Sequence, residues 1–248
     1  MTVATLLGAA SIPSAPVLLD GVGVNAGPAV EQLRTSVRRV VERLPAADVT
    51  ILVAAGQSAL HDTARIDLTG LAHPQFTTTL EPCPDAIAAL SRVTQYPRVR
   101  RPRLPLDLAV LGLFAGRSTP VVALEVPATA EFAVLSALGT SVVQALGEAE
   151  LTATLVVAGD LSAGLDDHAP LASRPGAVEW DARVVELFTR DATDGLAQLG
   201  PGPAADVGAR GWAALCVLHG AVASARLALH VRRYTAPRGV GYLVMSGR

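Results

Sequence analysis

The sequence predicts a three-layer α/β/α single domain over residues 1–248, with a central mixed sheet and an antiparallel strand pair added late. Three observations carry this expectation. Short apolar runs without alternation stop at Gly or Pro breaks, as in Leu155-Val-Val-Ala158 before Gly159 and in residues 121–126 before Pro127; such runs mark strands covered on both faces. Segments of helical periodicity lie between them, the order that places helices on both faces of a sheet. Half of the residues are hydrophobic and only 17% are charged, which supplies a large core and argues against disorder.

In chain order, residues 2–10 read as the first strand, ended by Ser11-Ile-Pro-Ser-Ala-Pro16, a loop fixed by two prolines. A secretory leader is the competing reading of this apolar start, but no positive charge precedes it, the first Arg being Arg34. Gly21-Val-Gly-Val-Asn-Ala-Gly27 holds a lone G-x-G, and without G-x-G-x-x-G directly after a strand it specifies no dinucleotide site. Pro28 suits the first turn of a helix running to about Leu44. Val30, Leu33, Val37, Val40, Val41 and Leu44 form its apolar stripe, and Arg34, Arg38 and Arg39 lie off it as a solvated face. Residues 49–55 are a second buried strand, and 76–80 a further short one. Glu81-Pro-Cys-Pro84 precedes a helix over 85–96. The Arg- and Pro-rich stretch 96–105 reads as an exposed connection and the one candidate linker. Residues 108–113 fit a strand or a short helix, 121–126 a clearer strand, and 129–146 a helix closed by Gly147. Beyond the central strand, helices are expected over 175–189 (with Trp180), 192–199 and 204–219. Residues 225–234 and 240–245 then form a hairpin-like pair around Ala236-Pro-Arg-Gly239.

Composition excludes several chemistries. All 20 basic residues are Arg, so a P-loop lysine and a lysine Schiff base are absent. The net charge of −2 implies no basic surface and argues against nucleic acid as a main partner. Cys83 and Cys216 form no C-x-x-C, so a cysteine zinc site is excluded, and a reduced, cytoplasmic setting is the simplest reading. No apolar run approaches the ~20 residues of a membrane helix.

The chemistry-bearing stretch is Leu155-Val-Val-Ala-Gly-Asp-Leu-Ser-Ala-Gly-Leu165. Gly159 lets the backbone turn sharply, and Asp160 and Ser162 can bond the turn's own amides. Open α/β sheets bind ligands outside the carboxyl ends of their strands, which places Asp160, Ser162 and the loop through His168 where function is expected. Of the five histidines, His219 and His230 read as structural and His73 as a surface residue before Pro74. His61 and His168 both follow strand ends, with Asp62, Asp160, Asp166 and Asp167 near them in sequence. Two His and one carboxylate could make an iron(II) facial site, though nothing in the spacing demands it. Ser14, Ser58 and Ser162 sit at strand ends, but none lies in a G-x-S-x-G elbow.

Several pieces, in order, resemble the class III extradiol ring-cleavage dioxygenase B-subunit-like proteins, the superfamily that also holds the MEMO proteins. They are Pro120-Val-Val-Ala-Leu-Glu-Val126, Leu138-Gly139, Leu155-Val-Val-Ala-Gly-Asp-Leu-Ser162, Gly211-Trp-Ala-Ala-Leu-Cys-Val-Leu-His-Gly-Ala221 and Tyr234-Thr-Ala-Pro-Arg-Gly-Val-Gly-Tyr242. In active members the resemblance implies iron(II) held by two His and a Glu, with a further His as acid and base. Here the two metal-His positions are Ser14 and Gln57, the acid–base position is Ala163, and the metal-Glu position falls near Gly208. Ser, Gln and Gly cannot reproduce a 2-His-1-carboxylate site, so no metal or cofactor is expected.

The leading expectation is therefore a member of this family without ring-cleavage activity, binding a small ligand or another protein, with a homo-oligomer left open. Its expected pocket is Ser14, Gln57, Ser58, His61, Asp160, Ser162, Ala163 and His168. The alternatives are an Fe(II)-dependent ring-opening dioxygenase with His61 and His168 as displaced ligands, and a metal-free hydrolase using Ser162 or Ser14. Trp180 and Trp212 are expected to pack helices against the sheet.

Overall fold

The computed structural model describes residues 5–22, 27–116 and 119–248. Its frame is an eight-stranded mixed sheet in the order β6-β3-β7-β2-β8-β1-β10-β9. The four central strands are β1 (Leu6–Ile12), β2 (Val49–Gly56), β7 (Val121–Pro127) and β8 (Ala153–Ala158). They are mutually parallel, in the order β7-β2-β8-β1, so their carboxyl ends share one edge. Every residue of β8 is buried, and six of the eight in β2, as the unbroken apolar runs predict. Strands Ala10, Ala55 and Ala158 belong to thus lie side by side, with their ends adjacent.

The flanks are antiparallel. On one side β9 (Leu229–Thr235) and β10 (Tyr242–Gly247) form the expected late pair, with β10 against β1. On the other side β3 (Ala59–His61) runs antiparallel to β7 and carries β6 (Arg98–Val99) at the margin. The stretch 96–105 is therefore no linker: it adds a strand, and Leu104 within it is buried. A separate two-stranded sheet pairs β4 (Ala64–Asp67) with β5 (Thr77–Leu80).

Helices cover both faces. α1 (Gly27–Val41) lies along β1, β9 and β10, while α3 (Leu106–Ala115) packs on β2, β7 and β8. On the opposite face α7 (Trp212–Ala225) crosses β1, β2, β7 and β8 and is packed along α4 (Phe132–Glu148), with α2 (Pro84–Thr94) against α4. The α4–α7 approach is backbone on backbone. A Cβ at Gly139 would lie 2.0 Å from the Val217 carbonyl oxygen, and one at Gly220 1.8 Å from that of Ser136, so only glycine fits either place. α5 (Ala177–Thr189) packs on β9, and α6 (Pro201–Asp206) precedes α7. Trp212 and Trp180 are both buried, as their positions on helices predict.

Three local expectations need correction, and the choice left open at 108–113 is resolved. The first strand begins at Leu6 and runs on through Ile12, and the start of its expected range lies outside the described residues, as do positions 23–26 of the Gly-rich segment. Residues 108–113 are helix, buried nearly all round, which is why their pattern gave no period. The expected 204–219 helix is two, broken where Gly208 takes φ +72°. Within 192–199 the element is a 3-10 helix, Thr193–Gln198.

Candidate functional site

At the carboxyl edge the turn after β8 is locked on three sides. The Gly159 amide donates to the Ile12 carbonyl (2.8 Å), the Leu161 amide to Gly241 (2.8 Å), and the Asp160 carbonyl accepts from Gly211 (2.6 Å). The Asp160 side chain is thereby aimed at the loop after β1. There the Ser14 amide and hydroxyl both donate to its Oδ2, at 2.8 and 2.6 Å. Oδ1 accepts no hydrogen bond among the described residues. Asp107, in the first turn of α3, and Arg210, just before α7, form an ion pair at 2.6 Å whose charges both reach Asp160. Burial pushes the Asp160 carboxyl up to about 6; the Ser14 bonds and Arg210 oppose this, and the Asp107 charge adds to it. A carboxyl that titrates near 6, with one oxygen free of hydrogen bonds among the described residues, can accept from, or exchange a proton with, a bound molecule close to neutral pH.

A second polar cluster lies toward β3. Glu125, on β7, is 3% exposed. Its Oε1 accepts from His61 Nε2 (2.8 Å) and meets Arg101 at 3.2 Å, and its Oε2 accepts from the Gln57 amide (2.9 Å). Gly56 makes room for this carboxylate, since a Cβ there would sit 2.0 Å from Oε2. The Gln57 side-chain oxygen is taken by Arg101 at 3.0 Å. Burial holds the His61 pKa below its usual value despite Glu125, so the ring is neutral at neutral pH and Nε2–H is the donor. Its Nδ1 is buried with no partner among the described residues. Ser58 stands beside this loop in the left-handed region (φ 55°) and bonds Tyr96.

Ser162 and His168 do not join either cluster. Ser162 is fully buried: its amide (3.0 Å) and its hydroxyl both donate to Asp181, which also accepts from Tyr234 (2.7 Å). This carboxylate ties α5 to the β8 turn and to β9, and the Ser162 hydroxyl is committed inside the fold. His168 is exposed, in a turn where its amide donates to Asp166. Ala163 and Gly208 are half-buried neighbours, a Cβ at Gly208 lying 3.3 Å from that of Ala163 and 2.3 Å from the Leu171 side chain.

Sequence reasoning missed Glu125, Arg101, Asp107 and Arg210. Glu125 had a readable signal, a carboxylate inside the apolar run 121–126, where a charge demands a buried partner. Arg101 and Arg210 had none, because their partners are distant in sequence.

An open α/β sheet with a polar cluster at the carboxyl ends of its parallel strands is the class this fold defines. No protein-family model matches the chain, and no curated protein does. Among solved structures it is similar to the uncharacterized protein JW3007 from Escherichia coli K12, at a TM-score of 0.66 and 13% identity over 97% of this chain and 99% of that one. That likeness establishes a shared fold. No helix among the described residues is long and apolar enough to cross a membrane.

The site does not fit the iron that the sequence resemblance implies. Ser14 is spent on Asp160, Gln57 on Arg101 and Glu125, and Gly208 has no donor. Among the described residues no three His, Cys, Asp or Glu side chains gather to hold an ion.

Proposed function

We propose that this chain is a cytoplasmic binding protein on an extradiol-dioxygenase-like, MEMO-like scaffold, and that it cleaves no aromatic ring. The observation that carries the reading is the commitment of the strand-edge polar groups to one another. Ser14 donates to Asp160, Ser162 to Asp181, and His61 to Glu125. Extradiol cleavage needs a metal to hold catecholate and dioxygen together, and a nearby group to move protons. The matching positions here offer neither. The group left open to a ligand is Oδ1 of Asp160, flanked by the Asp107–Arg210 pair, which suits a small polar molecule that donates a hydrogen bond or carries positive charge.

The test is metal analysis after anaerobic iron(II) loading, together with an assay of catechol cleavage. The expected result is no stoichiometric iron and no cleavage. One tightly bound iron per chain, lost on replacing His61 or His168, would overturn the reading in favour of a displaced-ligand enzyme.

A further inference from the structure

At the opposite edge of the sheet, where β10 ends, a cavity of about 410 Å³ lies between α1 and the β9–β10 pair. Arg39 and Arg43 enter it from the end of α1, His230 and Arg232 from β9, and Arg248 from the end of β10; no lining residue is acidic. The neighbouring arginines show what is unusual here. Arg34 is held by the carbonyls of Val17, Leu19 and Val22 and by Glu31, Arg38 by Asp20, and Arg233 by Ser36 and Gln32. Arg39, Arg43, Arg232 and Arg248 have no ion pair among the described residues. Complementing the negative end of α1 accounts for Arg39 and Arg43 alone; it does not account for the three basic residues that come from the strands. Arg232 is also oriented, its Nε donating to Ser246 Oγ at 2.8 Å, which leaves both terminal nitrogens of the fork available.

We propose that this cavity binds the phosphate groups of a small molecule. Four arginines without an ion pair among the described residues line one space, in a chain of net charge −2, and concentrate positive potential where the sequence average shows none. Planar guanidinium forks match phosphate oxygens in pairs, and this chain has no Lys to serve as a point charge instead. The volume lies within the range of small-molecule pockets, roughly 300–1,000 Å³. The site is independent of the Asp160 crevice, so either reading can fail without the other.

Isothermal titration with inorganic pyrophosphate at fixed ionic strength tests it. Saturable one-to-one binding is expected, at least tenfold weaker in the double variant Arg39→Gln/Arg232→Gln and unchanged in Arg190→Gln, an exposed arginine just after α5. All three side chains are exposed, and circular dichroism with the thermal midpoint in the absence of pyrophosphate confirms that each variant is folded. No saturable heat with the wild type, equal affinity in the folded double variant, or citrate binding as tightly as pyrophosphate would each overturn the proposal.

Discussion

Replacing Asp160 by Asn isolates the carboxyl at the centre of the strand-edge crevice. In the folded chain this group is raised from 3.8 to about 6. At about 1.36 kcal/mol per unit, ionised Asp160 costs the native state up to about 3 kcal/mol, and its partial exposure puts the working figure at about 1–3 kcal/mol. Because the folded value lies above the unfolded one, the group's contribution to stability is fully present below pH 3.8 and is lost as pH rises through about 6. Asn is neutral and keeps an oxygen for the Ser14 donors, so it stands in for the protonated acid at every pH. The variant should therefore be more stable than the wild type at pH 8, by about 1–3 kcal/mol, with the gap closing by pH 4. Urea denaturation of both proteins at pH 4, 6 and 8 measures this. A variant less stable at pH 8, or a difference that does not change with pH, would refute the claim that burial strains this carboxyl. A gain in stability on removing the charge would also mark Asp160 as a residue kept at the expense of the fold, as binding groups are.

The second cluster titrates in the opposite sense: with His61 held below its usual 6.5, stability should fall as pH drops through 6.5, and His61→Gln should flatten the urea midpoint between pH 5 and 7. A flat wild-type profile over that range counts against a neutral buried imidazole. Glu125→Ala strands the His61 Nε2–H and the Gln57 amide, at about 1–3 kcal/mol for each unsatisfied donor by denaturation, with a total loss below about 1 kcal/mol contradicting the pairing. Trp212→Ala should cost about 3–5 kcal/mol, and an unchanged melting temperature would refute its burial. Gly220→Ala drives a methyl into the Ser136 carbonyl and should cost about 1–3 kcal/mol; no loss would mean that α4 and α7 can separate freely.

What the sequence could and could not reveal follows from the range of the forces involved. Burial on both faces writes itself into consecutive residues, so 49–55, 121–126 and 155–158 were legible as strands, and their Gly or Pro stops located the carboxyl edge. The marginal strands β3, β4 and β6 are two to four residues long, too short to show a period, and exist because β7, β5 and β3 respectively offer them partners. Asp160 was found because its turn has local chemistry. Ser14 was placed in the same pocket, but its bond to Asp160 was not legible, since the two lie 146 residues apart and nothing near Ser14 marks it as a donor to a carboxylate. Ser162 misled for a related reason: a serine in a Gly-Asp-x-Ser turn looks presented, and only the packing of α5 reveals the carboxylate of Asp181 waiting beneath it. The arginine cavity was invisible in a net charge of −2, because that sum erases where each charge sits.

The glycine contact between α4 and α7 also bears on the clock of the molecule. α7 starts one residue after the Gly211 amide that grips the Asp160 carbonyl, so the crevice wall is anchored to a helix pair whose backbones touch. A backbone contact has no rotamer to relax through; it is either made or broken. Amide protons along α7 should therefore exchange with solvent only when the whole fold opens, whereas those of the exposed stretch 170–176 exchange through small local openings. The wall behind anything held at Asp160 therefore keeps still.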